Sequence, residues 1–283
     1  MAAYHVRSNS LPSRPHPFLP ELEENLCRIK ASEGASSSSS SISHNLNDLQ
    51  DLHDCVEKLL LLPLTQRTLL QEQKAKWVDA LLDGSMGLLD ICSTAKDALL
   101  QAKECTLELL STIRRKSGVE TEVKKILASR KAAKKTIRKA MGSLKSMQKQ
   151  FKPSPLNKDK DTITVVTMLK EVEAVTLNVF ESLLLFISGS KSQLKPSGWL
   201  LVSKLMHQKK TASNEEEADE NEFAMVDCAL QSLCDHKISK SVENMQEQLR
   251  DLELCIQDLE EGLECLYRRL IKTRVTLLNV LNH

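Results

Sequence analysis

The sequence has little of the material from which β-sheets and ring-lined pockets are built. Only 3% of its 283 residues are aromatic, and it contains eight Gly and eight Pro. This scarcity argues against a β-sandwich and against a pocket of stacked rings, because both depend on aromatic side chains. A Gly-rich nucleotide-binding loop also needs more glycine than the chain provides. Apolar residues make up 41% and charged residues 27%, so the composition predicts a sizeable core built from long helices.

Signals for secretion and for a membrane span are also absent. Residues 1–20 have no apolar core, and the most apolar stretch, 172–188, is interrupted by Glu173, Asn178 and Glu181. Residues 1–20 carry two Arg, four Pro and no acid. This composition resembles a plastid transit peptide, but a disordered tail explains the prolines better. We therefore expect an intracellular, cytoplasmic protein and keep plastid targeting as the alternative.

The sequence shows no catalytic or metal-binding motif. It contains no G-x-S-x-G elbow, no phosphate-binding P-loop and no H-E-x-x-H. Cys228, Cys234 and His236 lie close together, but their C-x5-C-x-H spacing does not match a structural zinc site. Packing in the core is the preferred role for most of the eight Cys. His53 falls in a helical pattern without a nearby nucleophile. We therefore predict a protein that is not an enzyme and that uses no cofactor or metal.

The first 41 residues are predicted to be a disordered tail rich in Ser and Pro. Pro20 can begin a short helix over residues 21–31. The apolar face of that helix consists of Leu22, Leu26 and Ile29. The run Ser36–Ser41 indicates a flexible linker. A helical bundle domain is predicted over residues 42–283. Its polar linkers are expected at about 152–161, 189–198 and 207–222.

Within the bundle, apolar residues recur every three or four positions from Ile42 onward, which predicts amphipathic helices. Pro63 should end or kink the first of them, and Thr65 is positioned to cap the next. Gly84 and Gly87 allow either a break or a continuous bent helix.

Two more long helices are predicted in the middle of the chain. The first runs from Val119, just after Gly118, to Phe151. The second runs from Thr162 to Ser188 and is apolar almost all round, so we place it centrally in the bundle. Trp199–Met206 is a short apolar segment that can cap the bundle.

The strongest pattern in the sequence is a heptad repeat near its end. Apolar residues alternate four-residue and three-residue spacings, and twelve of the thirteen positions are apolar. The positions are Ile238, Val242, Met245, Leu249, Leu252, Ile256, Leu259, Leu263, Leu266, Leu270, Thr273, Leu277 and Val280. Such a repeat suits either a coiled coil between two chains or a long helix packed inside its own bundle. The overall prediction is an all-α protein: an elongated bundle of four to five long helices, ending in this coiled-coil-like helix.

Charge is distributed unevenly, although the net charge is only +1. Residues 114–149 carry thirteen Lys and Arg against two acids, whereas 215–264 carry sixteen acids against three basic residues. Three interpretations remain open: a solvated basic face near the acidic last helix, docking on an anionic membrane, and binding of nucleic acid. We favour the first, and nucleic acid least, because no interleaved aromatics or known motif accompany the charge. The candidate anionic-surface patch consists of Lys124, Lys131, Lys134, Lys135, Arg138 and Lys145.

A short motif in the tail predicts a phosphorylation-dependent partner. Arg7, Ser8, Ser10 and Pro12 fit the R-S-x-S-x-P pattern that 14-3-3-type proteins grip when the second Ser is phosphorylated. A phosphate on Ser10 would add nearly two negative charges and strong acceptors for a cluster of Arg side chains. Chance matches are frequent in Ser- and Pro-rich tails.

An ordered series of motifs runs through the sequence: Arg7 to Pro17, the serine run, Leu49 to Leu52, Leu61 to Gln66, Trp77 to Asp79, Asp83 to Ser85, Leu88 to Cys92, Ala128 to Lys131, Leu252 to Ile271 and Thr273 to Asn279. This series resembles a plant-specific family related to the BYPASS-type developmental proteins. The resemblance covers nearly the whole chain. It implies a protein without established enzymatic activity and a role in root and shoot development, and it supplies no catalytic residues.

We therefore expect a non-enzymatic interaction or scaffold protein that binds unknown proteins through a rigid bundle. The alternative is a peripheral membrane protein that uses the basic helix 119–151. The heptad helix leaves two states open, a monomer and a coiled-coil dimer.

Overall fold

The structure, a computed structural model, describes residues 18–32, 38–72, 75–150, 160–190, 221–235 and 241–282. All regular secondary structure in these ranges is α-helical, as the sequence predicted. The helices are α1 (Phe18–Ser32), α2 (Ser39–Leu60), α3 (Pro63–Gln71), α4 (Lys76–Arg115), α5 (Val119–Gln150), α6 (Lys160–Ile187), α7 (Glu222–Asp235) and α8 (Ser241–Asn282).

Helix α1 confirms the short helix predicted near the N-terminus. Its apolar residues Leu22, Leu26 and Ile29 are buried, and the helix packs against α2 and α6. An ion pair between Lys30 and Glu171 joins it to α6. Helix α1 is therefore part of the bundle.

The serine run was predicted to be a linker, and for its described part this is wrong. Ser38 is the N-cap of α2, and its Oγ accepts a hydrogen bond from the backbone N–H of Ser41 at 3.2 Å. A serine at this position satisfies an N–H group that the first turn of a helix leaves unpaired. Capping thus recruits Ser39–Ser41 into the helix.

The junction between α2 and α3 follows from Pro63. Proline lacks a backbone N–H and is favoured in the first turn of a helix, and α3 begins at Pro63 with Leu62 as its N-cap. The predicted capping role of Thr65 is therefore wrong, because Thr65 lies inside the helix and is only 1% exposed.

Helix α4 runs without a break through Gly84 and Gly87. The sequence left open a break or a continuous helix here, and the structure has the continuous helix. It ends at Arg115, followed by Lys116 in the left-handed conformation and Gly118 at φ 76°. Glycine adopts this conformation at no steric cost. The turn returns the chain antiparallel to α4, and Lys125 of α5 pairs with Glu108 at 2.7 Å.

The heptad helix α8 lies inside the bundle of its own chain. Every heptad position from Met245 to Leu270 is buried, and the helix packs mainly against α4 and α2. It runs antiparallel to α4, where Lys103 pairs with Glu260 at 2.6 Å. It runs parallel to α2, where Glu57 pairs with Lys272 at 2.8 Å. The seam is thus covered by helices of the same chain.

Helix α6 occupies the central place that its sequence predicted, with contacts to α1 through α5. Helix α7 was not predicted: the expected linker 207–222 extends to its first residue. Asn221 caps α7 by accepting from the backbone N–H of Ala224 at 3.1 Å, and donates to the carbonyl of Phe186 at 2.8 Å. The expectations for residues 1–17, 151–159 and 191–220 lie outside the described residues.

Candidate functional site: the basic face of helix α5

Helix α5 has an apolar side and an exposed basic side. The apolar side, which includes Val123, Ile126, Ile137 and Leu144, is buried, and the helix packs against α4, α6 and α7. The opposite side is open because no further helix of the described bundle covers it. The sequence therefore places its cations where a partner can reach them.

Five of the six predicted patch residues share this open side, which we call the basic face. The basic face consists of Lys124, Lys131, Lys135, Arg138 and Lys145. Their spacings of seven, four, three and seven residues follow the 3.6-residue turn of the helix. All five side chains are exposed. Lys124 pairs with Glu120 at 2.6 Å, and no described acid forms an ion pair with the other four.

Lys134, the sixth predicted residue, points to a different neighbour. Its Nζ lies 2.7 Å from Oδ2 of Asp227 on α7. Arg130, one turn earlier, donates to the same carboxylate from Nε at 2.8 Å and from Nη2 at 2.9 Å, and to the carbonyl of Ile187 at 3.0 Å. Burial alone would raise the pKa of Asp227, but these two cations outweigh burial and hold the pKa below its usual value. Lys134 and Arg130 therefore join α5 to α7.

The last helix packs mainly against α4 and α2 rather than against α5. Glu260 and Glu264 of α8 pair with Lys103 and Lys96 of α4. The prediction that the basic helix lies near the acidic last helix is therefore wrong for α8. The acidic neighbour of α5 is instead Asp227 of α7. The reason is topological, since α4 lies between α5 and α8 and its own lysines meet those carboxylates first.

The other sequence-based candidates divide into two groups. Arg7, Ser8, Ser10 and Pro12 lie outside the described residues, as does His236. Cys228 and Cys234 are exposed. Within the described ranges, no group of three or more His, Cys, Asp or Glu is placed to hold a metal ion.

A buried polar cluster was missed by the sequence reasoning. His53 on α2 and Glu173 on α6 are only 4% and 5% exposed. Nε2 of His53 lies 3.1 Å from Oγ1 of Thr176. Nδ1 of His53 and both carboxyl oxygens of Glu173 have no hydrogen-bond partner among the residues that the structure describes. The sequence contained one sign of this cluster, because Glu173 interrupts an otherwise apolar helix. That interruption was used only to exclude a membrane span.

Comparison with known protein families finds a match for most of the chain. The family model described as Protein BPS1 matches residues 45–280, a range that includes α5 and the buried cluster. No curated protein and no solved structure matches the chain. In the described part of the chain, every helix is too short or too polar to cross a membrane. Since the match spans well over half of the sequence, the chain belongs to the BPS1 family, the BYPASS-type proteins of plant development.

Proposed function

We propose that this protein is a non-enzymatic interaction protein of root and shoot development that uses its bundle as a rigid platform. The basic face of α5 is the surface that would receive an acidic protein partner. The observation that carries the proposal is the position of four cations, Lys131, Lys135, Arg138 and Lys145, on an exposed side without a described ion-pair partner.

The rigidity of the helix supports this use. The opposite side of α5 is buried against three other helices, so the backbone positions that carry the cations are fixed relative to one another before a partner arrives. A preorganised surface loses less conformational entropy on binding. Charge complementarity of this kind mainly raises the rate and the specificity of association, and it weakens as salt is added.

An anionic membrane is the second candidate for the same surface. Each Lys or Arg near such a membrane contributes about 1 kcal/mol. However, the apolar side of α5 is buried in the bundle and cannot insert into lipid. The attachment would then be electrostatic alone, whereas stable anchoring normally takes two signals. The buried apolar side therefore favours the protein partner.

The test compares two charge-reversed variants of the full chain in proximity labelling of plant tissue. The variant K131E/K135E/R138E reverses the basic face and leaves Lys134 with Asp227. The matched control R67E/K76E/R250E changes the same number of charges at exposed positions on α3, α4 and α8. Neighbours with acidic surfaces should disappear with the first variant and remain with the control. An unchanged set of neighbours would contradict the proposal.

Co-sedimentation with vesicles separates the membrane candidate. The wild-type chain should stay in the supernatant of phosphatidylserine-containing vesicles even at low salt. Salt-sensitive sedimentation that the first variant loses and the control keeps would replace the protein partner with the membrane.

A phosphorylated tail would give the protein a second, separate contact. We propose that a 14-3-3-type protein binds the chain when Ser10 is phosphorylated, because Arg7 and Pro12 complete its recognition pattern. Pull-down from plant tissue should be lost with S10A and kept with S13A. Absence of phosphate on Ser10 by mass spectrometry would contradict this contact.

A further inference from the structure

Four irregularities of the sequence meet at one place in the fold. Thr273 is the one polar position of the heptad repeat, and Glu173 interrupts the apolar helix α6. Both line a cavity together with His53 of α2, and Gly84 of α4 faces the Glu173 carboxyl group. Departures from local sequence rules tend to mark functional sites. The cavity lies between α2, α4, α6 and α8, and ligand sites of helix bundles are built in such cores.

The hydrogen bonds fix the state of His53. The hydroxyl of Thr176 donates to the carbonyl of Val172 at 2.8 Å, so its oxygen accepts from the Nε2–H of His53 at 3.1 Å. Nδ1 then carries a lone pair without a donor. Burial lowers the pKa of His53 to about 4, with a smaller contribution from the charge of Arg269. The ring is therefore neutral and offers an acceptor.

Glu173 offers the complementary group. Burial raises the pKa of its carboxyl group to about 8, against a smaller opposite effect of Lys170. The group is therefore mainly protonated at neutral pH, and its O–H is a donor without a partner. A Cβ built on Gly84 would overlap Oε1 and lie 2.9 Å from Cδ of Glu173. Glycine at this position is what gives the carboxyl group its room.

The walls and the size of the cavity define what fits. Most of the lining is aliphatic, from Val56, Leu60, Leu81, Leu88, Leu169 and Val172 among others. The empty space is about 510 Å³, part of it open to solvent, and about 50 Å³ of it admits the centre of a water molecule. Arg274 donates to Oγ of the lining residue Ser85 at 2.6 Å, so the rim is positive. A cation would face this charge, and an anion would lose its hydration among the aliphatic walls and meet the lone pair of His53 Nδ1.

We propose that this cavity is a binding site for a small uncharged organic molecule with an apolar body and a hydroxyl group. The hydroxyl would accept from the acid of Glu173 and donate to Nδ1 of His53. The apolar body would lie along the aliphatic walls. These bonds would satisfy polar groups that are otherwise buried without partners, which is costly in a folded protein. The inference is independent of the basic face.

The test is a methyl NMR titration of the full chain, labelled at Leu and Val, with three four-carbon probes. The probes are n-butanol, n-butylammonium and n-butyrate, which share a short alkyl chain and carry a neutral, a cationic and an anionic head group. Butanol should shift the methyl signals of Val56, Val172 and Leu270 to saturation. Its Kd should be at least tenfold lower than those of the two charged probes.

Variants of Glu173 show whether the polar groups recognise the probe. Glutamine keeps one donor and one acceptor, so E173Q should bind butanol within threefold of the wild type. E173L should lose at least tenfold, and E181L, on the same helix but away from the cavity lining, should match the wild type. Tightest binding of butylammonium, lost in E173Q, would overturn the proposal, because Glu173 would then act as a carboxylate.

A second result would also overturn the proposal. Shifts that never saturate, or that are equal in the wild type and E173L, would mean that the cavity holds only solvent. Its accessible space would suit about three to five waters at 10–15 Å³ each. If E173L does not fold, the ranking of the three probes in the wild type and in E173Q decides the matter by itself.

Discussion

The guanidinium group of Arg130 donates two hydrogen bonds to the carboxylate of Asp227, which lies 97 residues later in the chain. The pair joins α5 to α7 and is largely buried, with the two side chains 9% and 16% exposed. The ring of Phe223 lies 5.1 Å from the guanidinium carbon and closes one side of the pair. This buried ion pair, the second cation Lys134 on the same carboxylate and the apolar face of α7 together hold the helix in place.

Removing the acid from this buried pair should cost more than removing an exposed acid from the first turn of α5. D227A leaves Arg130 buried without its counter-ion, and we expect the free energy of unfolding to fall by about 3 kcal/mol. E120A removes the exposed partner of Lys124, and the loss should stay below about 0.5 kcal/mol. Urea unfolding measures both. Equal losses would contradict the assigned role of Asp227.

Gly84 is buried and Gly142 is exposed, and this difference gives a second prediction. In G84A the new methyl group would collide with Glu173, and we expect a loss of about 1–3 kcal/mol from overpacking. G142A meets nothing within 4 Å in the interior of α5, so it should stabilise the protein by about 0.5–1 kcal/mol through helix propensity. Thermal unfolding checks the signs. A stabilising G84A would show that Glu173 can leave its position freely.

The pKa of Glu173 predicts how stability depends on pH. The carboxyl pKa is near 4.5 in the unfolded chain and about 8 in the folded one. Between these values the folded protein keeps a proton that the unfolded chain releases, so this group's stabilising contribution is lost as pH rises towards 8. His53 acts in the opposite sense at lower pH, because its folded pKa of about 4 lies below the ordinary 6.5.

A comparison between pH 7 and pH 8 isolates Glu173 from His53. E173Q cannot titrate, so its free energy of unfolding should fall less over this interval than that of the wild type. The difference should be of order 1 kcal/mol, since one pKa unit corresponds to about 1.4 kcal/mol. Identical pH profiles for the two proteins, measured by urea unfolding, would contradict a protonated Glu173.

The position of α8 predicts which leucines of the last helix matter. Leu259 is fully buried and Leu254 is 63% exposed on the same helix. We expect L259A to cost about 2–5 kcal/mol and L254A less than about 0.5 kcal/mol. Because the seam is covered by α2 and α4, light scattering should show a monomer. A dimer that L259A dissociates would show that the seam also pairs between chains.

The sequence predicted the helices that rest on long periodic patterns and missed what depends on tertiary contacts. The heptad positions, the end of α5 and the turn at Gly118 were all readable from spacing and turn chemistry. Helix α7 was missed because its 14 residues carry too few periodic turns to stand out beside an acidic stretch. Asn221 followed by Glu222 was its available start signal.

In the candidate sites too, the sequence predicted what depends on local helix geometry and missed what depends on contacts between helices. Spacing alone placed five cations on one side of α5, because helix geometry is local. That Lys134 turns to Asp227 could not be read from spacing, since the partner lies on another helix. The hydrogen bond between His53 and Thr176, and the cavity that His53 and Glu173 share, depend on the packing of α2 against α6, with 123 positions of chain between the bonded residues. No pattern within either helix contains that information.

Asp54 of α2 and Arg269 of α8 form an ion pair although 215 residues separate them in the chain. Helix α2 is therefore synthesised well before the helix with which it pairs. At about 5–20 residues per second, roughly 10–40 s separate the emergence of α2 from that of its partner α8. During that time the side of α2 that α8 covers in the folded protein lacks this partner, although α1, α3 and α6 can already pack against α2. Transiently exposed apolar surface promotes aggregation, so we expect the growing chain to bind chaperones until α8 is made.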